Sequence, residues 1–486
     1  MYYIGVDLGS TNMKAAIYTE QMELIDRQSY PVQYIRENGF VEFDAEKYCR
    51  DVQALIGSMV QKNGVEGVSQ IVFTGQAESL VTLGADGKPL MNAISWMDER
   101  STAECEQLSQ RFTPEEIEAV TGQMAVLPTW PATKILWLKH NRPEIYQNAA
   151  TYLLLKDYVV YALTGEKRSD MSIATFSFYF DIYEKCYWKK MLDAIGITPA
   201  QLPPLAEPCS VAGNLTAEAA KAMQLSRDTR VNIGTLDHFT GMIGTGNVTL
   251  GGMTLSTGTV MALTTMAQEP CPRDSGIAMH YGFLPDTHVM LPVAESGGAS
   301  LEWFKRTCMG EIGYDEMNRV LLEREKPNAL IFLPYLVGTN APEFDADASG
   351  VFFGLRQEHD VFDMACAVMD GVSFMLRKNC DHIREKGTKI ERIIATGGGA
   401  KSPVWCQLQA DVTGVPVVIP AEKEAACLGA AIIGAVSDGV FASYGDAAEK
   451  IVKFEKRYEP NDHTKFEKKY QKYCALYDAM LKVTRL

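Results

Sequence analysis

The 486-residue sequence has no uninterrupted apolar run long enough to cross a bilayer, no Cys-x-x-Cys pair, no paired histidine spacing and no cluster of basic residues. Each absence removes a class of function. A transmembrane helix needs about 20 consecutive apolar residues, so a helical membrane span is not expected. The 11 cysteines are odd in number and irregularly spaced, which suits free thiols in a reducing compartment better than a disulfide framework. Seven histidines without paired spacing give no transition-metal site. A formal net charge of −15 repels phosphate backbones and anionic bilayers, so neither a nucleic acid nor a membrane is an expected partner. The opening Met1-Tyr2-Tyr3-Ile4 lacks the basic stretch and apolar core of a secretory signal, and the expected location is cytoplasmic.

What is present is an ordinary folded composition, 47% hydrophobic and 22% charged, in a chain too long for one hydrophobic core. Strand-like, helix-like and glycine-punctuated segments alternate, which gives an α/β class. Tyr3, Ile4 and Val6 read as a strand ending at Asp7, and Ala15 to Tyr18 as its antiparallel return. Met253-Thr254-Leu255 and Val260 to Leu263 repeat that hairpin in mid-chain around Ser256-Thr257-Gly258-Thr259. The repetition predicts a duplicated domain, with a boundary near Gly246–Gly251 and domains at 1–248 and 249–486. The charged tail after Lys450 reads as helix packed on the second domain. The aromatic alternation Phe176-Ser177-Phe178-Tyr179-Phe180 fits a buried strand better than a ligand box, and Trp188 and Trp303 read as packing residues.

Four segments carry chemistry. In Asp7-Leu8-Gly9-Ser10-Thr11-Asn12-Met13-Lys14, a carboxylate at a strand end precedes a small turn whose N–H groups can face phosphate oxygens. Asp7 could hold Mg²⁺ through water and Lys14 could offset charge on a transferred phosphoryl group; an ordinary hairpin turn is the alternative. Thr257-Gly258 offers a second close backbone approach to phosphate, or a structural turn. Gly397-Gly398-Gly399 follows the strand Arg392 to Ala395 and suits a flat nucleotide component on bare backbone. Ala400-Lys401-Ser402 beyond it is not a P-loop, because the glycine required before the lysine is missing, and no GxGxxG follows the first strand. Finally, Asn232 to Leu236 lead to Asp237, either a general base for a hydroxyl attacking a phosphate or a helix N-cap.

In this order the segments resemble the FGGY carbohydrate kinases of the actin-like, hexokinase-type ATPase superfamily. The resemblance covers nearly the whole chain and weakens after about Lys450. Pro131 to Asn141, with Lys134, Trp137 and Leu138, is similar to the family's first signature; Gly350 to Leu355 with Asp363 to Asp370 is similar to the second. The resemblance implies two actin-like (ribonuclease H-like) domains with a deep interdomain cleft, the first for sugar and one phosphate turn, the second for the other phosphate turn and adenosine. It implies ATP and Mg²⁺ as cofactors and phosphorylation of a small carbohydrate. Asp237 matches the catalytic base, with Asp7 and Asp237 as metal carboxylates. Thr11, Asn12, Lys14, Thr257, Gly258 and Gly397 to Gly399 match nucleotide contacts, with Lys401 and Ser402 beside them. Gln407 and Asp411 read as packing or capping residues.

For the acceptor, the turn Gln76-Ala77-Glu78-Ser79 is the expected source of side chains, with Trp96 as an apolar wall, Thr129 and Trp130 as second-side contacts and His238 beside the base. Asp98 and Arg100 read as a structural ion pair. Xylulose kinases usually carry Met-His-Gly after the Gly-Gln, and glycerol kinases pair an arginine with the glutamate; this chain has neither. The loops at Tyr152–Gly165 and Ser169 to Ser172 look like pentulose kinases. The expectation is a ketose such as xylulose, with an acyclic polyol, another ketose or an aldonate as alternatives, and a non-catalytic sugar- or ATP-binding relative as the rival class. The sequence leaves the oligomer open, a homodimer among the options.

Overall fold

The computed structural model describes residues 1–324 and 329–484. The chain forms two units. One comprises Met1–Val248, Ala278–Val289 and Glu424–Val452, the other Thr249–Ile277, Met290–Lys423 and Lys453–Leu486. A division into 1–248 and 249–486 is therefore incomplete, because two later segments lie with the first unit.

Each unit is built on a sheet with the same core. In the first, Tyr2–Leu8 pairs antiparallel with Asn12–Thr19 and parallel with Val68–Gly75, within a six-stranded sheet that extends to Leu24–Pro31 on one side and to Arg230–Asn232 and Val211–Asn214 on the other. In the second, Gly251–Thr257 pairs antiparallel with Met261–Met266 and parallel with Ile390–Gly397, followed by Val417–Pro420 and Phe454–Tyr458. The registers correspond at the functional end. Leu8 lies opposite Gly75 in one sheet and Thr257 opposite Gly397 in the other.

These elements follow from their residues. Tyr3, Ile4, Val6 and Leu8 are all fully buried, so the first strand is an interior strand covered on both faces. The helix Ala45–Asn63 starts where the Asp44 carboxylate accepts Lys47 N–H and stops at Gly64 in the left-handed region. Val52, Ile56 and Met59 form its stripe against the sheet. The late helix Ala425–Ser437 joins the first unit through small residues. A Cβ on Gly429 would stand 1.9 Å from Thr240 O, one on Gly244 1.9 Å from Ala425 O, and one on Gly5 2.1 Å from Cys427 O. Glycine lets this helix touch both the first strand and the helix Asp237–Thr245.

Two sequence expectations need correction. The run Phe176–Phe180 is buried except for half-buried Phe176 but is not a strand: Thr175–Ser177 is a 3₁₀ turn, Phe178 has φ of +67°, and only Phe180–Asp181 pairs as strand. The cause lies upstream, where Asp170 caps the short helix Met171–Ala174 and the chain leaves it still winding. The stretch 152–165 is not a loop either. It comprises the end of the strand Thr151–Leu154 and the helix Leu155–Thr164, closed by Gly165 in the left-handed region.

Candidate active site

Asp7 lies next to last in the strand Tyr2–Leu8, directly opposite Lys14. Between them Gly9 allows the tight turn, since a Cβ there would meet Asn12 O at 2.5 Å. Thr11 is exposed and Asn12 half-buried at the turn's exit. Burial, and then the neighbouring Asp237 carboxylate, push Asp7 up to about 7; Lys14 opposes the rise and Glu424 adds to it. The Lys14 ammonium meets Glu424 at 2.8 Å. Glu424 arrives from a distant part of the chain, so no local pattern connects it with the first turn.

Asp237 is the first residue of the helix Asp237–Thr245, and Leu236 occupies the N-cap position. The carboxylate therefore does not cap the helix from the N-cap position. Among the described residues it takes one hydrogen bond, from His238 N–H at 2.6 Å, and it is half-buried with no ion-pair partner. His238 is exposed beside it. The helix N-terminus favours a negative charge at this place.

The expected acceptor turn is tightly held. Gln76 is 7% exposed; its Oε1 accepts the Ser79 hydroxyl at 2.9 Å and its amide faces Gly9 O at 3.4 Å. It thus braces the turn 76–79 against the turn that follows the first strand. Ala77 and Glu78 are half-buried, and Glu78 adopts φ of +68°. The Lys134 ammonium, absent from sequence reasoning as a site residue, lies beneath them and donates to Glu78 O at 3.1 Å and Ser95 O at 2.8 Å. Burial drives Lys134 down to about 7 against the pull of Glu78 and Asp98. Burial raises Glu78 from the usual carboxylate range, opposed by Lys134 and by a hydrogen bond from Thr129.

Trp96 is 37% exposed, with its backbone N–H tied to the Ser79 hydroxyl at 3.0 Å, so its indole is an open wall. Trp130 differs from expectation. It is 4% exposed, its indole N–H donates to Ala125 O, and its ring stacks on Phe178, so it supports the neighbouring residues from behind. The Arg100 guanidinium joins Asp98 at 2.7 Å and Glu42 at 2.8 Å and lies over the Phe40 ring, a structural pair as expected. His280, from a returning segment, stacks on Phe176 with its Nδ1 at 3.3 Å from the Gln123 amide. Burial, and then His238, hold its imidazole down at about 3 and hence neutral.

In the second unit a cavity of about 1000 Å³ is lined by Thr257, Gly258, Gly398, Gly399, Lys401 and Ser402 among others. Two of the three glycines are required by Thr257 itself: a Cβ on Gly397 would stand 2.8 Å from Thr257 O, and one on Gly399 2.8 Å from Thr257 Cβ. Gly398 is exposed on the cavity side. Ser402 caps the helix Pro403–Thr413 by accepting Trp405 N–H and donates to Asn318 at 2.7 Å. Trp303, read from sequence as packing, stacks on Phe332 and also lines this cavity. The Gln407 amide donates to Asp411 and to Glu459 O, both at 2.8 Å, and Asp411 accepts Asn461 N–H, a structural role as expected.

The model of the "FGGY family of carbohydrate kinases, N-terminal domain" matches residues 2–244, and that of the family's C-terminal domain matches residues 253–437. A xylulose kinase of Staphylococcus epidermidis is 30% identical over 99% of this chain and 97% of its own length. A gluconokinase of Bacillus subtilis is 28% identical over 100% of this chain and 96% of its own. The solved ligand-bound xylulose kinase of Lactobacillus acidophilus is 27% identical, covers 99% of this chain and 98% of its own, and superposes with a TM-score of 0.91.

Proposed function

The chain belongs to the FGGY family of carbohydrate kinases, and from that premise we propose that it phosphorylates a primary hydroxyl of a ketopentose such as xylulose, with Asp237 as general base. The observation that carries the reading is the state of Asp237. Other carboxylates of the first unit, such as Asp98 and Asp170, are ion-paired, whereas among the described residues Asp237 takes one hydrogen bond, from its neighbour's N–H. A carboxylate left open at a helix start can receive the proton of an attacking hydroxyl.

A ketose is favoured over an aldonate by Glu78. A carboxylate in the acceptor turn accepts hydrogen bonds from neutral hydroxyls and repels a substrate carboxylate. The open indole of Trp96 suits the apolar face of a sugar.

The donor set fits magnesium and a nucleotide. Asp7 and Asp237 are hard oxygen donors whose repulsion helps to raise Asp7, and a bound dication relieves that repulsion. Asp7 and Asp237 would hold the ion, and the cavity beneath Trp303 would hold adenosine. Bound Mg²⁺ and ATP supply the phosphoryl group and a cation that offsets charge on its oxygens. The chain's residues do the rest: in the first unit, N–H groups of the Gly9–Thr11 turn would orient phosphate oxygens, Lys14 would offset charge and Asp237 would take the hydroxyl proton; in the second, the Thr257–Thr259 turn would orient a nucleotide in its own cavity.

Two experiments test this. An ADP-release assay across ketopentoses, ketohexoses, aldonates and four- to six-carbon polyols should give its highest kcat/KM with a ketopentose; an aldonate in first place would refute the substrate reading. Asp237→Asn should lower kcat by about a hundredfold to ten-thousandfold with sugar binding kept in calorimetry. Near-normal turnover of that variant would falsify the base.

A further inference from the structure

We infer that a buried chain of side chains, Lys156, Asp170 and Ser172, fixes the loop from which Asp237 projects, which makes these three positioning residues for phosphoryl transfer. The inference rests on Asp237 being the base.

The loop 233–236 is held from all sides. Ile233 N–H donates to Ser210 O at 2.9 Å, Gly234 N–H to the Asn232 side chain at 2.9 Å, and Cys209 N–H to Gly234 O at 2.7 Å. Gly234 has φ of +59°, and a Cβ there would meet Phe73 O at 1.9 Å, so the turn admits no side chain. The Thr74 hydroxyl donates to Thr235 O at 2.8 Å. The remaining groups belong to the buried chain. Lys156 donates to Ile233 O at 2.5 Å and pairs with Asp170; Asp170 accepts the Ser172 hydroxyl; the Ser172 oxygen accepts Leu236 N–H at 3.2 Å and meets the Thr235 hydroxyl at 2.7 Å. From Lys156 to Leu236, the chain ends one residue before the base.

Lys156, Asp170 and Ser172 are all 0% exposed, so none of them can touch substrate. Ion-pairing two fully buried charges is an inefficient way to stabilise a fold, since apolar replacements of similar volume often do as well or better. What the pair supplies is direction. The ammonium aims at one carbonyl, and the carboxylate orients one hydroxyl toward the loop. The frame is over-determined, while the Asp237 carboxylate it presents is left open. A proton acceptor needs that combination, because a misplacement of about 1 Å can lower turnover about a hundredfold.

Three variants test the inference in the full-length enzyme. Ser172→Ala and the double variant Lys156→Met with Asp170→Asn should keep near-UV circular dichroism, lower kcat about tenfold to a hundredfold, and hold both KM values within about twofold. A brace with a folding role alone would lower the melting temperature and leave kcat of the folded enzyme unchanged; that result in Ser172→Ala overturns the inference. If the double variant does not fold, Ser172→Ala decides. Asp237→Asn, run alongside, separates the two readings. An active Asp237→Asn removes the base itself, whereas an inactive Asp237→Asn beside a fully active Ser172→Ala removes only the brace.

Discussion

Replacing Asp157 by asparagine should stabilise the first unit at neutral pH and have no such effect below about pH 4. Asp157 lies in the first turn of the helix Leu155–Thr164, 2% exposed, and its Oδ2 has no hydrogen-bond partner among the described residues. The same small cavity holds Tyr152, whose hydroxyl also lacks one. Burial pushes the carboxyl up to about 7, against Lys156 and a hydrogen bond from Ser169, with Asp170 adding to the rise. The folded protein therefore keeps a proton that the unfolded chain releases at the ordinary 3.8. Stability is unaffected below the unfolded value, falls as pH rises toward the folded one, and levels off above it. At about 1.4 kcal/mol per pH unit, the displacement has a ceiling of about 4 kcal/mol at pH 8 and about 1–2 kcal/mol at pH 5. Asparagine removes that penalty. Urea titrations at pH 4, 5 and 8, read by hydrogen exchange in the peptide 151–170, report the first unit locally. An asparagine variant whose gain is equal at pH 5 and pH 8, or which is less stable than the parent at pH 8, would mean that Asp157 carries no such penalty.

Other changes have equally specific outcomes. Glu78→Gln keeps the shape of the acceptor turn and removes its charge, so the KM for the sugar should rise about tenfold with the KM for ATP unchanged; parallel rises would place Glu78 outside the acceptor site. Trp303→Ala should weaken nucleotide binding about tenfold in calorimetry and spare the sugar, from the usual worth of an aromatic platform under a base. Gly429→Ala drives a methyl against Thr240 O and should destabilise the first unit by about 3 kcal/mol in urea; a neutral effect would mean that the two helices can part without penalty.

The sequence carried the local parts of this structure well and the distant ones poorly. The two hairpins were legible because small polar turns sit between short apolar strands at Gly9 to Asn12 and Ser256 to Thr259. Thr257 and Gly397 to Gly399 stood out as glycine-bearing turns, but the reason for Gly397 and Gly399 lay in the register that sets Thr257 against them. The aromatic run at 176–180 misled because alternation of large side chains does not distinguish a strand from a 3₁₀ turn that follows a capped helix. Lys134 was seen within a signature, yet its place beside Glu78 depends on a helix that meets the turn 76–79. Glu424 and His280 could not be found by local pattern at all, since each reaches the first unit from a late segment of chain.

That late return bears on how the protein is made. The first unit lacks its glycine-packed helix until Glu424–Val452 has emerged, about 200 residues after Val248. At ordinary elongation rates the ribosome takes roughly 10–40 s over that interval. Throughout it the face of the first strand at Gly5, and that of the helix bearing Gly244, stand uncovered. A nascent or excised 1–248 fragment is thus a sticky intermediate, and the first unit matures only after most of the second has been translated.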